Sequence, residues 1–180
     1  MSDSRNQKGS FERMNYNLGH VTPWWKEEFK FLSYENPPIN QYDLDQWTSQ
    51  GYGSLILHGS VYSQSQGLMP EFSKRFYHLF DWQNVGIAFF RMTCGQALPP
   101  HQDRYSNYQR IFKITDPKVI WRAIVFLEDW KSGHYFEIDG KPLVNWKSGD
   151  WVIWNYDVPH YAGNFGIDNR YTVQITGTIT

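Results

Sequence analysis

Cysteine is almost absent from the chain: Cys94 stands alone, so no intrachain disulfide can form, which excludes the oxidised-scaffold class and leads us to expect a reducing, cytoplasmic setting. Long apolar runs are missing as well. The longest, such as Ala123 to Leu127, fall far short of a membrane span, and the opening stretch MSDSRNQKGS is polar rather than an apolar leader. Neither sign of charge is in excess. Lys and Arg number 17 against 18 Asp and Glu, and a formal net charge of −1 supplies no electrostatic footprint for a polyanion. We therefore expect neither nucleic acid nor membrane as a partner. The sequence has no heptads and no conspicuous apolar helix to mark an interface, so it leaves the oligomeric state open.

Aromatic surface, by contrast, is plentiful. Aromatic residues make up 18% of the 180, nine of them tryptophan, which gives the unfolded chain ample apolar area to hide. That length suits one domain with its own core. Residues 1–10 lack apolar periodicity and are expected to be disordered, leaving a single domain over 11–180. Its first part, 11–84, reads as a helical cover. Thr22-Pro23 before WWKEEFKFL predicts a short amphipathic helix with Trp25, Phe29 and Leu32 on one face. Residues 43–50 predict a further turn or two ending at Gly51, and SLILHGS (54–60) a brief strand. The run from Pro70 to Trp82 predicts a helix through Phe72, Phe76, Leu79 and Phe80.

From Val85 onward the chain reads as β, with strands expected near 85–93, 119–128, 134–138, 142–146, 151–154 and 171–179. Asp139-Gly140 is a tight-hairpin signal, and Ser148-Gly149-Asp150 marks another turn. Short antiparallel strands with few helices must close or stack to avoid raw edges, and a double-sheet jelly roll over 85–180 is the expected solution.

Two histidines and one acid stand out within that core. His101-x-Asp103 follows a strand and the turn-forming CGQALPP, so both side chains can point the same way. Alone, the pair carries little weight, since a histidine two residues from an acid arises by chance in a chain of this composition. His160 closes GDWVIWNYDVPH, where an apolar strand fixes the base of a loop. Two histidines and a carboxylate form the facial triad of non-haem Fe(II) oxygenases, whereas zinc sites tend toward sets richer in His and Cys. Ten residues on, Arg170 opens the last strand, and alternation puts Thr172 on the same face. A guanidinium and a hydroxyl together suit the far end of a dicarboxylate.

In the order His101-x-Asp103, His160, Arg170, the chain resembles the 2-oxoglutarate and Fe(II)-dependent dioxygenases, whose core is a double-stranded β-helix, the jelly roll also found in cupins. The stretch from WRAIVFLEDW through IDGKPLVNWKSGDWVIWNYDVPHYAGNFGIDNRYTVQITG further resembles their aspartyl/asparaginyl β-hydroxylase and proline hydroxylase branch. This resemblance implies Fe(II) on His101, Asp103 and His160, with 2-oxoglutarate clamped by Arg170 and Thr172. Arg122 is implied as a second carboxylate-binding arginine. It also implies use of O2 to hydroxylate a C–H bond of an amino acid or peptidyl side chain, with release of succinate and carbon dioxide. Arg104, Tyr105 and Arg110, in the loop after the proximal ligands, and Trp154, on a flanking strand, are the candidate substrate contacts. The substrate is then a small molecule or a peptide.

Two rivals remain. A cupin-type metal protein would share the fold without oxygen chemistry, and a Trp-rich carbohydrate-binding module would use Trp24-Trp25 and Trp130 as stacking platforms. Trp151 and Trp154, three apart on a strand, should face opposite ways and cannot share a platform. His20, His58, His78 and His134 have no partner at a metal-binding interval, and nothing around Cys94 points to an activated thiol.

Overall fold

The computed structural model describes residues 15–53 and 59–179; the expected tail 1–10, His58 and most of the SLILHGS strand lie outside the described residues. Among the described residues, ten strands form two antiparallel sheets. Six of them, β1 (Tyr16–His20), β2 (Ser60–Ser63), β3 (Gln83–Met92), β5 (Ile120–Phe126), β8 (Asp150–Asn155) and β10 (Arg170–Thr178), pair in the order β1-β8-β5-β10-β3-β2. The remaining β4 (Ala97–His101), β6 (His134–Ile138), β7 (Lys141–Leu143) and β9 (His160–Asn164) pair as β4-β9-β6-β7. Two packed antiparallel sheets of this kind make the double-stranded β-helix.

Side-chain alternation along the central strands divides the core in two. Ile124 and Phe126 of β5 turn inward between the sheets, where they meet Phe136, Ile138, Val152 and Trp154. Their neighbours Ala123 and Val125, with Ile87, Phe89, Val173 and Ile175, face outward and are covered by Trp25, Phe29 and Phe76 from the first half of the chain. Trp151 and Trp154 do point to opposite faces, one joining the outer cluster and one the inner. The Asp139-Gly140 hairpin joins β6 to β7, with φ of 50° and 70° at its two corners.

The first half is less helical than its periodicity predicts. Between Thr22 and Leu32 only Glu28–Phe31 winds, as a 3-10 turn. The indole N–H groups of Trp24 and Trp25 instead donate to the Phe72 and Leu127 carbonyls, each at 2.9 Å, and these tertiary bonds hold the segment extended. The helix predicted from Pro70 to Trp82 is a 3-10 helix over Glu71–His78; Phe72 and Phe76 pack on Phe89 as expected, while Leu79, Phe80 and Trp82 reach the same cluster from beyond its end. Nor is this half only a cover, because β1 and β2 add edge strands to the larger sheet. The helix expected over 43–50 is α1 (Gln41–Ser49), capped by the Asn40 side chain. It lies at the cavity described below.

Phe76 is fully buried yet remote from that cavity. Truncating it to Ala should cost about 3–5 kcal/mol, read as a lower midpoint in urea unfolding followed by circular dichroism.

Candidate metal centre

His101 ends β4 and His160 begins β9, and the two residues face each other directly across the antiparallel ladder. Sequence reading made Cys94–Pro100 a turn-forming stretch and put His160 in a loop. In the structure the ladder skips Pro99 and Pro100, which carry no N–H, and resumes at the histidine pair. The imidazole centroids stand 4.2 Å apart. Each ring uses Nδ1 to reach a backbone carbonyl two residues back, His101 to Pro99 at 2.7 Å and His160 to Val158 at 3.0 Å. Donation from Nδ1 selects the tautomer whose Nε2 is a free lone pair, the arrangement that metal-binding imidazoles use.

Asp103 completes the group two residues past β4. Ligand atoms of His101, Asp103 and His160 all lie within 4.8 Å of one another, and His160 Nε2 is 3.7 Å from Asp103 Oδ2. Burial pushes the His160 imidazole down to about 4, so it is neutral and able to ligate at ordinary pH. Burial alone would raise the Asp103 carboxyl. The Arg122 guanidinium, helped by the Tyr105 hydroxyl, outweighs it and holds the group below the usual carboxylate range. Two imidazoles and one carboxylate, with no thiolate, make a donor set that could hold a divalent metal ion.

The carboxylate is itself held in place. Arg122 Nε lies 3.3 Å from Asp103 Oδ2, close enough to pair in charge though not aligned as a hydrogen bond. The Tyr105 hydroxyl donates to the same oxygen at 3.1 Å, and the Tyr105 ring lies 5.0 Å from the Arg122 guanidinium carbon. Tyr105 adopts a left-handed φ of 53°, uncommon for an aromatic residue, as it caps the short helix α2 (Ser106–Phe112). Sequence reading left that helix as a loop.

Arg170 sits elsewhere in the same cavity. On β10, Arg122 is level with Thr176, about 20 Å of strand from Arg170 at 3.4 Å per residue. Arg170 is 3% exposed, and neither Nε nor Nη2 has a hydrogen-bond partner; Nη1 meets only Met92 Sδ at 3.5 Å. The rings of Phe126, Phe136 and Trp146 surround its guanidinium carbon at 5.6–5.9 Å. Burial with no carboxylate nearby pushes its pKa down to about 9. Asp168, the nearest acid in sequence, approaches Lys131 instead.

A cavity of about 500 Å³ connects the two charged ends. Its wall carries His101, Asp103, His160, Arg122, Arg170 and Thr172 together. Arg104 and Tyr105 also line it, and Arg104 pairs with Asp43 at 2.8 Å. Arg110 and Trp154 do not line it; Trp154 is buried behind His160, with ring centroids 4.8 Å apart. Sequence reasoning missed Gln174, which the alternation from Arg170 and Thr172 could have supplied, and Asp43 and Trp47 of α1, for which no local pattern gives a signal.

No family model matches the chain, and no curated protein is similar to it in sequence. Solved structures do match. A Pseudomonas putida prolyl-4-hydroxylase superposes with a TM-score of 0.57 at 13% identity, over 92% of this chain and 93% of its own. A predicted oxalate decarboxylase of Thermotoga maritima gives a TM-score of 0.43 at 11% identity, covering 67% and 81%; a cupin protein of Bacteroides fragilis gives 0.38 at 14%, covering 52% and 65%. At these identities the likeness is one of fold, which this chain shares with the hydroxylase over nearly its whole length.

Proposed function

We propose that the protein is a non-haem Fe(II) and 2-oxoglutarate-dependent dioxygenase that hydroxylates a C–H bond of an amino acid, free or within a peptide. The observation that carries this reading is the unpartnered, buried guanidinium of Arg170 in one cavity with the His101, Asp103 and His160 group. Taking a cation out of water without an anion costs several kcal/mol, and the surrounding ring faces return roughly 0.5–2 kcal/mol each at best. Such a residue is built for an anion that arrives from solution. A metal-binding cupin without a co-substrate has no use for it.

In this reading His101, Asp103 and His160 hold Fe(II), which when bound activates O2 against 2-oxoglutarate. Arg170 pairs with the distal carboxylate of 2-oxoglutarate and the Thr172 hydroxyl donates a further bond, fixing the co-substrate at its far end. Arg122 and Tyr105 keep Asp103 ionised and oriented toward the imidazoles. Met92, Ile124, Phe136 and Ala162 line the cavity and exclude water from the reacting end. Product release is as succinate, carbon dioxide and the hydroxylated acceptor.

Anaerobic addition of 2-oxoglutarate to the Fe(II)-loaded protein should produce a weak visible charge-transfer band; a colourless sample would refute the proposal. Replacing Arg170 with Met should weaken 2-oxoglutarate binding roughly 100-fold or more while leaving Fe(II) affinity nearly unchanged. The same change should stabilise the ligand-free protein by about 1–4 kcal/mol, seen as a higher thermal midpoint, because an uncompensated buried charge is removed. Equal loss of iron and 2-oxoglutarate binding would mark the arginine as structural.

A further inference from the structure

A second cavity, again about 500 Å³, adjoins the first at the candidate ligands. Asp43, Trp47, His101, Gln102, Asp103 and Arg104 line both, so the ligand-bearing edge and α1 border the two cavities. A cavity of this size is already a complete small-molecule site. Co-substrate and a free amino acid would fit the first and leave the second without a purpose.

The charges lining the two cavities point the same way. Their cationic side chains, apart from the ligand imidazoles, are Arg104, Arg122 and Arg170. Arg104 is paired with Asp43 and Arg122 with Asp103, and Arg170 is reserved for 2-oxoglutarate in the proposal above. Among the described residues no lining cation is left for the α-carboxylate of a free amino acid, whose burial unpaired would be costly. Besides Asp157, the Asp43–Arg104 pair and the candidate ligands, the second cavity is lined by neutral side chains: Gln46 of α1, Gln50 at the C-terminal cap of that helix, and Gln102, with Pro100, Pro159 and Tyr156. Side-chain amides both donate and accept, as peptide groups do. Gln46 and Gln102 each spend one N–H internally, on Tyr42 and on the Asp157 carbonyl, and keep their oxygens free.

We infer that the acceptor is a residue within a polypeptide, whose chain passes the metal and lies in the second cavity against Gln46, Gln50 and Gln102. This rests on the dioxygenase reading and narrows it. The target side chain enters the first cavity while its peptide flank, uncharged, occupies the amide-lined side.

The test compares capped Gly-Gly-X-Gly-Gly pentapeptides, with every amino acid at X, against the same free amino acids, scoring succinate release and added oxygen by mass. Peptides should stimulate turnover and the free amino acids should not. Gln46→Trp, an exposed helical position, should raise the peptide KM about ten-fold or more with less than a two-fold change in the 2-oxoglutarate KM. Calorimetric titration of the best peptide into the metal-free protein should show the same loss in the variant. A free amino acid hydroxylated as efficiently as its capped form, or a variant that binds the peptide as well as the parent does, overturns the inference. Wild-type protein that binds no 2-oxoglutarate overturns the dioxygenase reading itself, which is a separate result.

Discussion

The direct antiparallel pairing of His101 with His160 is the constraint on which the site depends. Residues opposite each other in a ladder hold their Cα atoms about 4.5–5.5 Å apart, so the two imidazoles converge without any contribution from flexible loops. The pairing lies at the end of both strands, which leaves their Nε2 atoms facing the cavity while Nδ1 is spent on the chain's own carbonyls. A shift of register by one residue would send one ring to the other face and dissolve the group. Proline at 99 and 100 interrupts the ladder just before this point, so the histidine pair is an isolated re-engagement of β4 with β9 rather than one rung among many.

Charge compensation then separates the roles of three arginines that composition alone makes equivalent. Arg122 is balanced by Asp103, Arg104 by Asp43, and Arg170 by no acid among the described residues. The first pair is buried and the second is half in solvent, so Arg122 matters more to the electrostatics of the centre. An uncompensated buried cation lowers the stability of the ligand-free fold, and it is the kind of local conflict that marks functional rather than structural positions. The outer aromatic cluster of Trp25, Phe29, Phe76 and Phe89, which contributes nothing to the cavity, supplies burial that offsets it.

The β half of the fold was legible because its signals are local. Alternation along 85–93 and 171–179, the Asp139-Gly140 turn and the Trp151/Trp154 spacing each depend on neighbouring residues and each reappears in the structure. Where tertiary bonds decide, local reading failed. The indole N–H groups of Trp24 and Trp25 override a good amphipathic pattern, and proline hides β4. The candidate ligands were visible as residue types at a spacing. The resemblance implied Arg122 as a second carboxylate-binding arginine; in the structure it lines the cavity with its Nε 3.3 Å from Asp103 Oδ2, a contact that nothing local in the sequence announces. Nothing near Asp43 or Trp47 in sequence foretold their place on the cavity wall, since that place is set by how α1 packs.

Helix α1 links these features. It is bound to the centre from above by the Asp43 to Arg104 ion pair, by the Arg104 guanidinium over the Tyr42 ring at 4.4 Å, and by Trp47 edge-on to His101 at 6.1 Å. Exposed ion pairs and cation–π contacts contribute of order 0.5–1 kcal/mol each, whereas the buried Trp47 side chain contributes more through area. The helix is therefore anchored by one indole and oriented by weaker polar contacts. Trp47 packs edge-on to the imidazole of a candidate ligand, so the same residue that seats α1 also forms part of the wall around His101. Packing of the first half of the chain is in this way coupled to ligand geometry in the second, although no residue of that half supplies a candidate ligand among the described residues.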